Sequence, residues 1–327
     1  MKRILYVRTD RLGETILNIP AVLALHAAYP GAAVTWIMDP ALIELLKQAG
    51  PWRAVPEPRP AGFWLRRVRV LADAFRAERA DAIVISNPQK DYHLAAWLAG
   101  IPTRVGYARK WGRWLLTHRV PGRNRLGGRH EVEYNLDLVR TLGIDVHASS
   151  WRLTCPPEHL SAVTDLLAAE GLRPDDALIV VHPWSARRFK EWPAERFRAL
   201  IEHLASSGRR VAVIGGAEET ARAQALIGPG GTVINLTGRL NLQQLAALLS
   251  RSRCLVTNDS GPMHVAAAVG TPVVALFGTS NAGSHPKRWG PWGTEHVVLH
   301  QPLEALATDE VLSAALNLLA GHSPAGT

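Results

Sequence analysis

Four short stretches bring together side chains whose types and spacing suit chemistry on an anionic, hydroxyl-bearing ligand. In Cys254–Gly278, CLVTNDSGPMHVAAAVGTPVVALFG, the turn Asn258-Asp259-Ser260-Gly261-Pro262 separates an apolar run from a short alanine-rich segment. A helix starting at Gly261 would turn free backbone N–H groups and its positive dipole end toward that turn, which makes an anion site. Ser260 adds a hydroxyl donor there and His264 a ring donor one turn further in. The same residues also suit an ordinary capped helix, with Asp259 or Ser260 as the cap and Pro262 tolerated in the first turn. In Val180–Pro193, VVHPWSARRFKEWP, the residues Ser185, Arg187, Arg188 and Lys190 supply donors and positive charge of the kind an anionic leaving group requires. A solvated basic loop has the same composition. In 213–219, VIGGAEE, paired glycines let backbone approach a ligand, and Glu218 or Glu219 offers a carboxylate to its hydroxyls. Near the start, Thr9-Asp10-Arg11-Leu12-Gly13 leads to Glu14, whose carboxylate at a helix start is held as an anion and can take a proton from a hydroxyl. Acids favour first turns for capping reasons alone, so position does not decide between a base and a cap.

These residues need strand ends to hold them, and the pattern supplies them. Arg3–Arg8 reads as a strand, followed by a helix from near Glu14 to about Ala28, which Pro20 should kink. Strand Val34–Met38, helix Ala41–Ala49, a Pro-rich stretch at 56–62 and an arginine-rich helix around 63–79 follow. Strand Ala82–Ser86, helix His93–Ala99, strand Thr103–Tyr107 and helix Glu131–Leu142 complete the first half. Residues 108–130 are rich in arginine, contain no acid and show little periodicity, which predicts a loop or loosely helical excursion. After a linker at Cys155-Pro156-Pro157 the plan repeats. The strands are Leu178–His182, Arg210–Gly215, Thr232–Leu236, Cys254–Asn258, Val273–Phe277 and Val297–His300. The helices open at Pro193 or cover Glu218–Ile227, Leu242–Ser250, Met263–Val269 and Leu303–Leu319. Strands alternating with helices make a parallel sheet covered on both faces, here in two domains of similar size, with ligands expected at the carboxyl ends of the strands.

Composition narrows the class. A chain of 327 residues accommodates two cores, and 47% hydrophobic with 20% charged residues describes a folded protein and excludes a disordered one. No segment approaches the ~20 apolar residues of a membrane span, and the first residues have too short an apolar run for a signal peptide. Cys155 and Cys254 match no metal or redox spacing, so a reducing, cytoplasmic setting is expected. The net charge of +9 suits an anionic partner: a membrane surface or an acidic substrate. Nucleic acid is not expected, because no recognition motif accompanies the charge. Biased arginine usage accounts for such a charge as well. The 11 tryptophans are scattered, as packing residues would be.

The segment TNDSGPMHVAAAVGTPVVALFG with the following HPKRWGPWG, the opening RTDRLGETILNIPAVLALHAAYP, and the loop before Trp192-Pro193 together resemble glycosyltransferase family 9, the ADP-heptose:lipopolysaccharide heptosyltransferases. The resemblance spans nearly the whole chain and is strongest at 3–30, 178–220 and 253–293. It implies an α/β fold of GT-B type, two doubly wound Rossmann-like domains facing across a cleft. Residues 1–155 would form the acceptor-side domain and 156–327 the nucleotide-sugar domain, with the last helix a candidate to pack back on the first. It implies an inverting, metal-independent transfer of a heptose from ADP-heptose to an acidic lipopolysaccharide-core acceptor, without a cofactor, at the inner face of the cytoplasmic membrane. The family's catalytic aspartate corresponds to Glu14, with Asp10 as the alternate base. Donor binding falls to Ser185, Lys190, Glu218, Asp259, Ser260, Gly261 and His264. Where the family has small residues after the strand, this chain has His182-Pro183-Trp184. Gly238 and Arg239 match a family turn near the nucleotide. For the acceptor, the basic character of Arg66, Arg67, Arg69 and of the 104–130 run nominates Arg109, Lys110 and Arg113. Two other classes fit the residues: a GT-B transferase or epimerase with another nucleotide sugar, and a non-catalytic two-lobed binding protein.

Overall fold

The computed structural model describes the chain except residues 109, 122–127, 148–150, 174, 229–231, 281, 294 and 322–327, and the side chains at 110, 111 and 282. The chain forms two compact units, the first ending at Trp151 and the second starting at Arg152.

The first unit runs β1 (Arg3–Val7), α1 (Leu12–Ile16), α2 (Ile19–Ala28), β2 (Ala33–Met38), α3 (Ile43–Leu46), β3 (Arg53–Pro56), α4 (Trp64–Ala77), β4 (Ala82–Ile85), α5 (Lys90–Leu98), β5 (Thr103–Tyr107), a 3-10 turn (Lys110–Leu115), β6 (His118–Val120) and α6 (Glu131–Arg140). Its sheet has the order β3-β2-β1-β4-β5-β6 and is parallel throughout. The apolar runs of β1 and β4 are buried because helices cover both faces. On one side Val68, Leu71, Ala72 and Phe75 of α4, spaced as one helical face, pack with Ala95 and Ala96 of α5 against Leu5, Val7 and Ile83. On the other α2 packs against α6.

The second unit runs α7 (Pro157–Ala169), β7 (Leu178–His182), α8 (Ala194–Ser206), β8 (Arg210–Val213), α9 (Thr220–Ile227), β9 (Val233–Asn235), α10 (Leu242–Ser250), β10 (Cys254–Asn258), α11 (Gly261–Val269), β11 (Val273–Phe277), α12 (Pro286–Trp289), β12 (His296–His300) and α13 (Thr308–Gly321). Its order, β12-β11-β10-β7-β8-β9, is the same doubly wound arrangement, again all parallel. Trp192, Phe197, Leu200 and Leu204 form one side of its core, joined there by Val311, Ala314 and Ala315 of α13, so the last helix packs within the second unit. Two Rossmann-like domains of this kind are the GT-B fold. No described helix is long and apolar enough to cross a membrane.

Several elements differ from expectation for physical reasons. The first helix is not kinked but broken: α1 ends at Ile16, and α2 starts afresh with Pro20 in its first turn, where a missing N–H costs nothing. The excursion at 108–130 contains the 3-10 turn and β6, which extends the sheet from β5. The edge strand β3 and helix α7 are additional elements, and Leu153 N–H already bonds Ala268 O ahead of the expected linker. Tryptophans divide between cores and surface: Trp36 and Trp192 are buried, Trp97 and Trp114 exposed.

Candidate functional site

In the second unit the strand order reverses between β7 and β10, and the residues following these two strands meet there. His182, the last residue of β7, lies in register with Thr257 of β10. Its Nδ1 stands 3.2 Å from Thr257 Oγ1 and 3.1 Å from Ser260 Oγ, and the two hydroxyls are 2.9 Å apart. Burial pushes His182 down to about 4, so the imidazole is neutral at physiological pH. Asn258 ties the two loops together: its Oδ1 accepts from Trp192 N–H at 3.0 Å, and its Nδ2 donates to Pro183 O at 2.8 Å. Ser185 Oγ donates to Asp259 O at 3.2 Å, and Lys190 Nζ pairs with Asp259 Oδ2 at 2.5 Å.

These commitments leave the start of α11 without a side-chain cap. Ser260 occupies the N-cap position with extended backbone, yet its hydroxyl is engaged by His182 and Thr257. Asp259, the other expected cap, is engaged by Lys190. Both capping expectations are therefore corrected, and the N-terminus keeps its positive end for an outside anion. His264 is buried in the first turns of α11.

The glycine turn after β8 is similarly sorted. Glu219 Oε2 accepts from Gly216 N–H at 2.5 Å and closes the turn, whereas Glu218 is exposed. Gly215 has to be glycine, because a Cβ there would come 2.5 Å from Trp184 Nε1. Gly238, at φ +71°, donates its N–H to Gly215 O, and Arg239 pairs with Glu170 at 2.5 Å.

Two residues that sequence reading passes over brace the β7–α8 loop. Glu191 accepts from Ser185 N–H at 3.1 Å and pairs at 2.6 Å with Arg222, whose guanidinium lies 4.4 Å from the Trp184 ring centroid. A carboxylate and an arginine 31 positions apart leave no local signal.

In the first unit the reversal falls between β1 and β4. Arg8, just past β1, is buried. Its Nε pairs with Asp10 at 2.5 Å, and its Nη1 donates to Ser86 Oγ at 3.1 Å and lies 3.8 Å from Glu131. Burial works against the Arg8 charge, but Asp10, Glu131 and Glu14 more than offset it. Glu14, on α1 and half-buried, forms no ion pair among the described residues. Desolvation, then repulsion from Asp10, raises its carboxyl above the usual range despite attraction to Arg8. A half-buried carboxylate of raised pKa is a stronger base than an exposed one, whereas Asp10 is engaged by Arg8.

The arginines nominated for an acceptor part company. Arg67 is spent on Glu57 and Asp91, each at 2.6 Å, which corrects its place in the basic patch. Arg113 is exposed, stacked 4.6 Å from the Trp114 ring centroid. Arg109 and the Lys110 side chain lie outside the described residues. Among the described residues no group of three or more His, Cys, Asp or Glu side chains is arranged to hold a metal ion.

The model of the family described as glycosyltransferase family 9 (heptosyltransferase) matches residues 68–317. Lipopolysaccharide heptosyltransferase 2 of Escherichia coli strain K12 is 28% identical over 301 residues, covering 87% of this chain and 85% of the relative. Lipopolysaccharide heptosyltransferase 3 of the same strain is 26% identical over 301 residues, covering 88% and 84%. Among solved structures, a family 9 glycosyl transferase from Veillonella parvula aligns with a TM-score of 0.88 at 25% identity, covering 98% of each chain.

Proposed function

Since the chain belongs to glycosyltransferase family 9, we propose that it transfers a heptose from ADP-heptose to an acidic acceptor of the lipopolysaccharide core, with inversion at the anomeric carbon. The names of its relatives, lipopolysaccharide heptosyltransferases, agree with a heptose as the group moved and lipopolysaccharide as the acceptor. Glu14 acts as the base: it takes the proton of the acceptor hydroxyl as that oxygen attacks the anomeric carbon, while the bond to the diphosphate breaks. The transition state is oxocarbenium-like, as in glycoside chemistry generally. The departing ADP gains negative charge at the start of α11, where Ser260, the Gly261 amide and His264 are assigned to meet it and Lys190 adds a cation. Charge on the leaving group is met by these residues, so no divalent cation is assigned. Ser185 and Asp259 hold the β7–α8 loop and Lys190 beside the diphosphate, and Glu218 is assigned to the ribose. On the acceptor side Arg109, Lys110 and Arg113 are assigned to phosphates and carboxylates at the cytoplasmic face of the inner membrane.

The observation that carries this reading is the α11 N-terminus left without a side-chain cap beside a lysine. Calorimetric titration of ADP, UDP and GDP into wild type and Lys190→Ala tests it. Selective ADP binding, weakened about 10-fold or more without the lysine, is expected from the loss of one charge-assisted contact of ~1.5–3 kcal/mol. Preference for UDP would overturn the donor, and absence of nucleotide binding would overturn the enzyme assignment.

A further inference from the structure

The layer of α4, α5 and the 3-10 turn 110–115 turns its inner side to the first sheet, and its outer side does not look like an ordinary soluble surface. Phe63 is 89% exposed, Leu65 68%, Trp114 66% and Trp97 51%, with Trp64 and Leu98 exposed beside them. Single exposed apolar residues are common, but six large ones on adjoining elements mark a contact face. They adjoin because α4 packs along α5, and α5 packs against the turn. Between α4 and α5 runs a groove of about 360 Å³, lined by Leu65, Val68, Leu94, Leu98 and Arg69.

The charges on this layer point to the partner. Lys90 Nζ sits 4.7 Å from the Trp64 ring centroid, and the guanidinium groups of Arg113 and Arg119 lie 4.6 and 5.4 Å from that of Trp114. Arg66 and Arg69 lie exposed on α4. Among the described residues none of these five cations forms an ion pair. The only acids on α4 and α5 are already matched, Asp73 by Arg76 at 2.7 Å and Asp91 by Arg67 at 2.6 Å. The face is therefore apolar and aromatic, with uncompensated positive charge stacked on its rings. Aromatic rings and leucines beside arginines and lysines are the composition that settles at the interface of an anionic bilayer, with rings at headgroup depth and cations on the phosphates.

We propose that the outer side of α4, α5 and the turn 110–115 is a membrane-docking face: Phe63, Leu65 and Trp97 enter the interfacial layer of an anionic bilayer while Arg66, Arg69, Lys90 and Arg119 contact lipid phosphates. This goes beyond the transfer reaction, since it requires neither nucleotide nor sugar.

Co-sedimentation of the full chain with vesicles tests it, using phosphatidylcholine alone or mixed with phosphatidylglycerol. Wild type is expected to bind the mixed vesicles, more weakly as salt rises, and to leave the neutral ones largely unbound. Arg66→Glu combined with Arg69→Glu should weaken binding by about 25-fold or more, at about fivefold per cation lost. Phe63→Ser, Leu65→Ser and Trp97→Ser together should weaken it at least about tenfold, with thermal unfolding and ADP affinity unchanged, because all three side chains lie mostly in solvent. Wild-type failure to bind either vesicle overturns the proposal, as does sedimentation of either variant like wild type. It is equally overturned if the wild type proves to be a dimer that the apolar variant dissolves, for the face would then be an interface between copies. Since binding is read without nucleotide, a wild type that binds vesicles but not ADP supports the face while sinking the donor assignment.

Discussion

Acidification should release the second unit's site through His182, and the size of the effect follows from its burial. An unfolded histidine titrates near ~6.5, and in the fold His182 is held at about 4 by desolvation. The charged form is the one the fold disfavours. The stability tied to the neutral ring is therefore complete above the unfolded value and is lost as pH falls from about 6.5 toward 4. A gap of about 2.5 units corresponds to about 3 kcal/mol, a large share of a domain's typical ~5–15 kcal/mol. Protonation also turns Nδ1 into a donor only, so it can no longer accept from Thr257 or Ser260, 3.2 and 3.1 Å away. Chemical denaturation of wild type and His182→Asn, followed across this pH range, isolates the term. His93, lowered to about 4 by its own burial, titrates in both proteins and cancels in the comparison. The asparagine keeps a hydrogen-bonding group and removes the titration. Wild type should be the more stable at neutral pH, and its advantage should shrink by about 3 kcal/mol by the acid end. A stability difference that stays flat with pH would refute the placement of a neutral histidine at this strand end.

Other substitutions address the chemistry directly. Glu14→Gln should lower kcat by about 10²–10⁴-fold with nucleotide affinity retained, because a general base contributes about that much. It should also raise the melting temperature at neutral pH: a carboxyl held above its unfolded value stabilises the fold only while protonated, and that contribution is lost as pH rises through the raised value. Asp10→Asn removes the repulsion that helps raise Glu14 and frees Arg8 to attract it, so the acidic limb of the kcat/KM profile should move to lower pH. Arg222→Ala should raise KM for the nucleotide sugar about fivefold with kcat unchanged, since it loosens the Ser185 loop by roughly 1 kcal/mol of ion-pair and cation–π contact.

Much of this architecture is legible in the residues. Uniform apolar runs bounded by turns give Leu178–His182 and Val273–Phe277, and the helix Leu242–Ser250 is found with the expected bounds. In the first sheet the edge strands escape because they are short and half-covered: β3 is RAVP with no fully buried residue, and β6 is three residues long. The place of each candidate along the chain is equally visible, since Glu14, Ser185, Glu218 and Asp259 all follow strands. What each side chain does is not visible, because that depends on partners brought from elsewhere. Spacing alone cannot show that Lys190 meets Asp259, that Glu219 closes its turn while Glu218 stays exposed, or that Arg67 is consumed by Glu57 and Asp91.

The pairing of charges in the first unit is why Glu14, and not Asp10, is the carboxylate proposed as the base. Arg8 is deeply buried, and an arginine there has to be compensated. Asp10 supplies the close contact at 2.5 Å and Glu131 a longer one at 3.8 Å. With Arg8 already matched, its attraction for a third carboxylate is opposed by that same Asp10. Repulsion from Asp10 accordingly ranks above attraction to Arg8 at Glu14, after desolvation. The cluster thus sorts two neighbouring acids into one that is engaged by Arg8 and one whose proton affinity is raised. In the second unit the pairing serves a different end: Asp259 holds Lys190 in place, so under the proposed reading the lysine needs little ordering to meet a diphosphate.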